Sequence, residues 1–262
     1  MRDRAAAKST TSFDNIGNKI AELLLTDDIQ LVLPRFREHQ LVIVHDAETS
    51  RAPWETMALK IGTSDQLWYP AREAGISHRF SVEKLSVAKK LDERQTDGTL
   101  NVLLVVDPTG DLAGARSGLL CANNVMLTGA DLAAVSRLPA LVFFNACESA
   151  RVRKLKDGRD KAKAKVASDR ERTAKIQKTV SVAAALLRGG VANFLGTYWP
   201  VGDEAAATFA SVFYPELVRG ETIGDVIQKA RATLTAKRNK DWANYIFYGN
   251  QDFVPKETAG NA

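Results

Sequence analysis

One cysteine lies where a reactive thiol would be expected. Cys147 ends the apolar run ALVFFNAC (140–147), whose length and continuous hydrophobicity predict a buried strand. In open parallel sheets, ligands bind beyond the C-terminal ends of the strands. A thiol at such an end can meet backbone N–H groups that lower its pKa and stabilise an oxyanion. The position suits a nucleophile, although a buried structural cysteine is the commoner case.

Three other residues near predicted strand ends are candidates for the same cleft. Asp107 precedes Pro108, which stops the run NVLLVVDP (101–108), Trp199 follows a run at 191–198, and Asp203 lies in the next loop. Each also has a structural alternative. Asp107 can terminate its strand, Trp199 can pack in the core, and Asp203 can cap the following helix, because aspartate is a preferred N-cap.

The three histidines offer few choices of general base. His39 precedes the first predicted strand and is expected on a solvated turn. His45 ends that strand, where it is either structural or lines a pocket. His78, in the segment GISHRF, is expected to be exposed or structural.

Alternating strand and helix patterns predict an α/β fold with a parallel sheet covered on both faces. Strands are predicted at 41–47, 101–108, 140–147 and 191–198, a hairpin at 117–128, and a last short strand at 244–249. Helices are predicted within 16–36 (with a turn at 26–28), at 52–62, after a short strand within 74–91, at 129–138, before Gly189-Gly190, at 202–220 and at 222–237.

Composition limits the class of protein. With 262 residues, 45% hydrophobic and 26% charged, the chain matches an ordinary soluble globular α/β domain. No run of eighteen apolar residues occurs, and the first residues lack the apolar core of a secretory signal. Two cysteines without an export signal favour a reduced, cytoplasmic protein, with a Cys121–Cys147 disulfide as the alternative.

The positive charge is concentrated in one segment. Residues 151–175 contain eleven Lys/Arg and four Asp/Glu, whereas the whole chain carries a net charge of +5. The rest of the chain is therefore slightly acidic, which argues against a nucleic-acid partner. The basic segment is expected to be a solvated helix or loop, or a docking segment for an acidic partner. No metal-ligand spacing and no Gly-rich phosphate loop is present, so neither a metal nor a cofactor is expected.

The hexapeptide Phe144-Asn145-Ala146-Cys147-Glu148-Ser149 resembles the nucleophile motif of CHAT domains, a branch of the caspase and separase clan of cysteine proteases. The resemblance extends over residues 20–254 through motifs in the family's order. These are HDAETSRAPWETM (45–57), LLVVDPTGDLAGA (103–115), SGLLCANNVMLTGADL (117–132), GTYWPVGDEAA (196–206), FYPELVRGETIGDVIQKAR (213–231) and WANYIFYGNQDF (242–253).

The resemblance implies a caspase-like three-layer α/β/α sandwich with a mostly parallel sheet, shortened by an internal deletion. The domain would span 16–254 with a basic insertion at 151–175, between a disordered tail at 1–15 and a C-terminal tail at 255–262. It also implies a cysteine endopeptidase acting on a protein, with Cys147 as nucleophile. Asp107, Trp199 and Asp203 would contact substrate, and a buried carboxylate at Asp203 would favour a basic P1 side chain.

The family's dyad histidine has no counterpart at the expected place. In caspase relatives it lies about 50 residues before the cysteine, and no histidine occurs near residue 97. The chain passes from DPTGDLAGA directly into RSGLLCA, so a histidine-bearing block is expected to be missing at Ala115-Arg116. Closing the sheet would then require LLVVDP to pair directly with LVFFNAC, since unpaired buried backbone groups are costly.

Three functional hypotheses follow from the resemblance and the missing histidine. The domain is an active protease with an unorthodox base, a non-catalytic scaffold that binds a protein through the old substrate groove, or the product of a truncated gene. We favour the hypothesis that the domain with this sequence is inactive, because an unassisted thiol is only a few per cent thiolate at neutral pH. The expected partner is a protein substrate or a regulatory protein, not a membrane, and the oligomeric state stays open.

Overall fold

The computed structural model describes residues 2–46, 49–62, 64–81, 102–106, 118–120, 126–128, 139–145, 183, 186–187 and 191–255. The chain divides into two compact units. The first contains residues 1–43, 52–79 and 201–257, and the second contains 44–51, 80–200 and 258–262.

The helices described are α1 (Arg2–Leu24), α2 (Asp27–Val32), α3 (Pro70–Glu73), α4 (Asp203–Val218) and α5 (Ile223–Ala236). Short 3-10 turns span Leu33–Phe36, Thr49–Arg51, Trp54–Thr56 and Lys240–Ala243. The strands are β1 (Leu41–His45), β2 (Leu59–Lys60), β3 (Leu67–Trp68), β4 (Ile76–Phe80), β5 (Val102–Val106), β6 (Gly118–Leu120), β7 (Met126–Thr128), β8 (Leu141–Asn145), β9 (Asn193–Thr197) and β10 (Tyr245–Tyr248).

Parallel pairing dominates both units, so the α/β architecture with a mostly parallel sheet is confirmed. In the first unit the strand order is β1-β4-β10, and β10 runs parallel to β4 with Tyr248 opposite His78. In the second unit the order is β9-β8-β5, again parallel. The predicted hairpin at 117–128 is also confirmed, since β6 and β7 pair antiparallel with Gly118 opposite Thr128.

β5 is bonded directly to β8. The register runs from Val102 opposite Leu141 to Val106 opposite Asn145, so every residue of β5 has a partner in β8. This is the pairing that the sequence requires if the block before Arg116 is missing. It leaves no open slot between these strands, and their backbone groups satisfy one another.

Each unit buries its own apolar side chains. In the first unit a core forms around Trp54, Met57, Leu59 and Trp68, which pack against the α1 side chain of Ala21. In the second unit the core is built by strands β8 and β9, where 141–144 and 193–197 are buried. Continuous burial on both faces explains why these strands read as unbroken apolar runs.

Three sequence predictions differ from the structure. Residues 52–62 are a 3-10 turn followed by β2, because Leu59 and Lys60 pair with Trp68 and Leu67 and the sheet contact outweighs helix propensity. Within the expected tail at 1–15, residues 2–15 belong to α1, where the ring of Phe13 lies 6.1 Å from that of Tyr69. Strand β1 is buried on one face only, since Val42 and Val44 are exposed.

Candidate functional site

Strands β5 and β8 of the second unit end side by side at one edge of the sheet. β8 ends at Asn145, which lies opposite Val106 at the end of β5. The last described residues of the two strands, Val106 and Asn145, are therefore neighbours at the same end of the sheet. Cys147 and Asp107 themselves lie outside the described residues, so their roles as nucleophile and substrate contact stay predictions.

Trp199 follows the end of β9, the other neighbour of β8. It is half-buried, and its ring meets that of Tyr198 edge-on at 6.0 Å between centroids. The contact fits the packing role. A contact with substrate stays a prediction.

Asp203 is exposed at the first residue of α4. Gly202, with φ −72° and ψ 147°, is the N-cap, so the prediction that Asp203 caps the helix is wrong by one position. The carboxylate instead joins Glu204 in the first turn, where negative charge interacts favourably with the helix dipole. Because Asp203 is exposed, it does not provide the buried carboxylate that would favour a basic P1 side chain, and its contact with substrate stays a prediction.

Two of the histidines differ in burial. His39 is exposed on a turn, as predicted, with its ring 6.3 Å from that of Phe36. His45 is buried, and its Nδ1 lies 3.1 Å from the carbonyl oxygen of Asp46. Its ring also meets Phe80 edge-on at 5.3 Å, so His45 is packed inside the second unit.

His78 belongs to a buried ionic cluster in the first unit. Its Nε2 lies 2.8 Å from Oε1 of Glu55, and both side chains are 1% exposed. The same Oε1 lies 3.8 Å from a terminal guanidinium nitrogen of Arg231, which is 0% exposed. Of the two readings for His78, exposed and structural, burial excludes the first.

Backbone carbonyls complete the surroundings of Arg231. Its guanidinium donates to the carbonyl oxygens of Ala71, at 2.7 Å, and Tyr245, at 2.6 Å. Burial lowers the pKa of Arg231, and the negative charge of Glu55 opposes that effect. The arginine thereby ties α5 to α3 and β10, while His78 connects Glu55 to β4.

Sequence reasoning missed Glu55 and Arg231, although the sequence carries a signal for the second. Arg231 follows Ile227 by four residues and precedes Leu234 by three, which places a charge on the apolar stripe of α5. A charge at a core position predicts a buried counter-charge. Glu55 is adjacent to Trp54 in a short apolar segment and gave no comparable periodic signal.

No group of three His, Cys, Asp or Glu side chains within the described ranges could hold a metal ion. Nor does any helix in that part of the chain combine the length and apolarity needed to cross a membrane.

Comparison with known proteins decides the family. The model of the CHAT domain family matches residues 112–250, slightly more than half of the chain. The chain belongs to the CHAT domain family. The match includes strands β6 to β10, and it begins immediately before the predicted join at Ala115-Arg116. The CHAT resemblance inferred from the motifs is thereby confirmed, and residues 20–111 extend it on motif evidence alone.

Solved structures similar to this CHAT chain include two of the separase–securin complex of Saccharomyces cerevisiae. One, at 3.0 Å resolution, aligns with a TM-score of 0.37 and 12% identity, and the other, at 2.6 Å, with 0.38 and 13%. Each alignment covers 84% of this chain and 13% of the other chain. A search of the curated proteins found no match.

Proposed function

We propose that this CHAT domain binds a protein through the strand-end edge that Cys147 follows, and that it lacks a competent Cys/His dyad. The direct ladder between β5 and β8 carries the proposal. A histidine strand beside the nucleophile strand would need the position that β5 occupies. The fold of a cysteine peptidase is retained in this reading, whereas the acid–base partner of its thiol is not.

The surroundings of the histidines support the same reading. His78 is engaged by the buried carboxylate of Glu55, and His45 is packed against Phe80. Releasing His78 would leave Glu55 and Arg231 without it in a buried site, which is costly. A reduced, cytoplasmic setting, favoured by the two-cysteine content, would keep Cys147 a free thiol.

Thiol labelling tests the proposal. A peptide-like thiol-reactive inhibitor is expected to label Cys147 no faster than it labels a free cysteine in an unstructured peptide of similar pKa. Cys147→Ala leaves Cys121 as the only thiol and isolates the contribution of position 147. Labelling far above the free-thiol rate that disappears in Cys147→Ala, together with cleavage of a protein substrate, would instead establish an active protease.

A truncated gene is the competing explanation of the missing block. Re-sequencing the locus distinguishes the two. If an insertion that encodes a histidine lies between Ala115 and Arg116, the natural protein has the dyad strand and the proposal of inactivity is wrong.

A further inference from the structure

The first unit contains a polar cleft between the start of α4 and the end of α5. It has a volume of about 470 Å³ and is lined by Glu204, Thr208, Lys237, Arg238, Asn239, Lys240 and Asp241. Three of these side chains are cationic and two are carboxylates, which leaves an excess of one positive charge. None of these residues belongs to the strand-end edge of the second unit.

The ends of α4 and α5 use the same backbone motif with different residues. After α4, the N–H groups of Gly220 and Glu221 donate to the carbonyls of Leu217 and Glu216, and Gly220 has φ 86°. This is a Schellman ending, in which the left-handed position is usually glycine.

After α5, Arg238 and Asn239 make the corresponding bonds to Thr235 and Leu234. Here Arg238 holds the left-handed position, with φ 54°. Within the described ranges it is the one residue other than glycine with positive φ. A residue with a Cβ is disfavoured in the left-handed conformation, so arginine at position 238 lowers local stability relative to glycine. Because α4 shows that glycine fits this ending, the backbone does not explain the choice. The guanidinium itself is the remaining reason for an arginine.

The cations of the cleft differ in how they are held. Lys237 donates to the hydroxyl of Thr208 at 3.0 Å, which draws its ammonium group across to α4. The ammonium of Lys240 lies 5.6 Å from the ring centroid of Phe13. Arg238 is exposed, and its guanidinium, unlike its backbone N–H, has no hydrogen-bond or ion-pair partner among the described residues. Lys237 and Lys240 thus each contact a neighbouring side chain, whereas the N–H donors of the Arg238 guanidinium are available to a ligand.

We propose that this cleft is a docking site for a short acidic segment of a partner protein, with a carboxylate of that segment bound by Arg238. A guanidinium presents paired N–H donors that match the two oxygens of a carboxylate. Lys237 and Lys240 would add attraction on either side. The carboxylates of Glu204 and Asp241 limit the attraction, so the site suits one or two acidic side chains and not a polyanion such as a nucleic acid.

Fluorescence anisotropy with the full chain tests the proposal. The probe is a short fluorescein-labelled peptide with two Glu residues separated by Ser, compared with the same peptide carrying Gln for Glu. The Glu peptide is expected to bind saturably and to weaken with added salt. Arg238→Gly should weaken binding by about tenfold, and Arg238→Lys by less, since charge is retained without the paired donors.

The variants separate binding from folding. Arg238→Gly relieves the backbone at φ 54°, so loss of binding cannot be attributed to unfolding. Arg219→Gly is the matched control at the end of α4, where Arg219 lies outside the cleft and pairs with Glu216. It should bind the Glu peptide as the parent does. Glu204→Gln removes a repelling charge from the cleft and is expected to strengthen binding by about twofold to threefold.

Three results would overturn the proposal. These are equal binding of the Gln and Glu peptides, equal losses for the two arginine-to-glycine variants, and weaker binding of the Glu peptide by Glu204→Gln. Because the assay does not involve Cys147, none of these outcomes bears on whether the thiol is activated.

Discussion

At the scale of single residues, the Glu55 carboxylate is the shared partner of two buried side chains of the first unit, those of His78 and Arg231. Its Oε1 contacts both His78 and Arg231, and all three side chains are buried. Breaking a buried ion pair on one side leaves the other charge uncompensated, which costs far more than the intact pair contributes.

Glu55→Gln is therefore expected to destabilise the protein by about 3 kcal/mol or more. The amide keeps the size of the side chain but leaves Arg231 without a counter-charge. Urea unfolding followed by circular dichroism measures the effect. Glu221→Gln is the control, because Glu221 pairs with Lys229 at the surface and such pairs contribute about 0–1 kcal/mol. Equal losses in the two variants would show that the buried cluster is not a special source of stability.

The sequence predicted the chemistry of single residues unevenly. The solvated position of His39 follows from its polar neighbours, and it was predicted correctly. Asp203 was misplaced by one residue because Gly202 supplies the extended cap conformation equally well. Glu55 escaped notice because its partners are far away in sequence, at residues 78 and 231, and only the folded chain brings the three together.

At the scale of secondary-structure elements, the two long C-terminal helices show how one ending can be made with and without glycine. The left-handed conformation costs a residue with a Cβ about 1–2 kcal/mol. Glycine avoids this cost but loses about 0.5–1 kcal/mol through its flexibility in the unfolded chain.

We expect Arg238→Gly to raise the free energy of unfolding by about 0.5–1 kcal/mol. Arg219→Gly should lower it by a similar amount, since Arg219 has φ −72° and gains nothing from glycine. Thermal unfolding of both variants and of the parent shows whether each substitution raises or lowers the free energy of unfolding. If both substitutions shift stability in the same direction, the left-handed backbone at Arg238 is not the cause.

Elements whose signal is local were predicted well. Strands β8 and β9 are buried on both faces and read as unbroken apolar runs, and α4 and α5 were placed to within a few residues. The segment 52–62 was predicted as a helix because its pairing with 67–68 is not visible in local periodicity. The start of α1 was missed for a similar reason, since Phe13 packs against the distant rings of Tyr69 and Trp242.

At the scale of the whole molecule, three tyrosines from separate parts of the first unit resist ionisation. Burial is the largest cause in each case. It raises the pKa of Tyr69, where the hydroxyl also donates to Asp14, it raises the pKa of Tyr214 to about 12, and it raises the pKa of Tyr245. The folded state therefore holds these protons more tightly than the unfolded chain, whose tyrosines ionise near pH 10.

Stability should be level through neutral pH and should fall above about pH 10, because the unfolded chain then releases protons that the folded chain retains. Urea unfolding between neutral and alkaline pH measures this slope. Tyr214→Phe removes one of the contributing groups and should flatten the slope. Native tyrosinate absorbance that develops fully near pH 10 would contradict the expectation.

The overall architecture could be predicted because the order of motifs is a property of the whole chain. Alternating strands and helices indicated a parallel α/β sheet, and the CHAT motifs gave the family. The candidate site was predictable only in outline. Strand ends identify an edge, whereas the contacts of Cys147 and Asp107 depend on segments beyond those ends.

The ladder between β5 and β8 also limits where a histidine-bearing strand could enter the sheet. An imidazole supplied on an extra strand beside β8 would first have to displace five backbone pairings. Without β8 as its partner, β5 would have to pair with another strand or would leave its backbone amides unpaired. Placing a histidine beside β8 is therefore a rearrangement of sheet order, and a block grafted at Ala115 must bring a new place for β5 as well as a side chain.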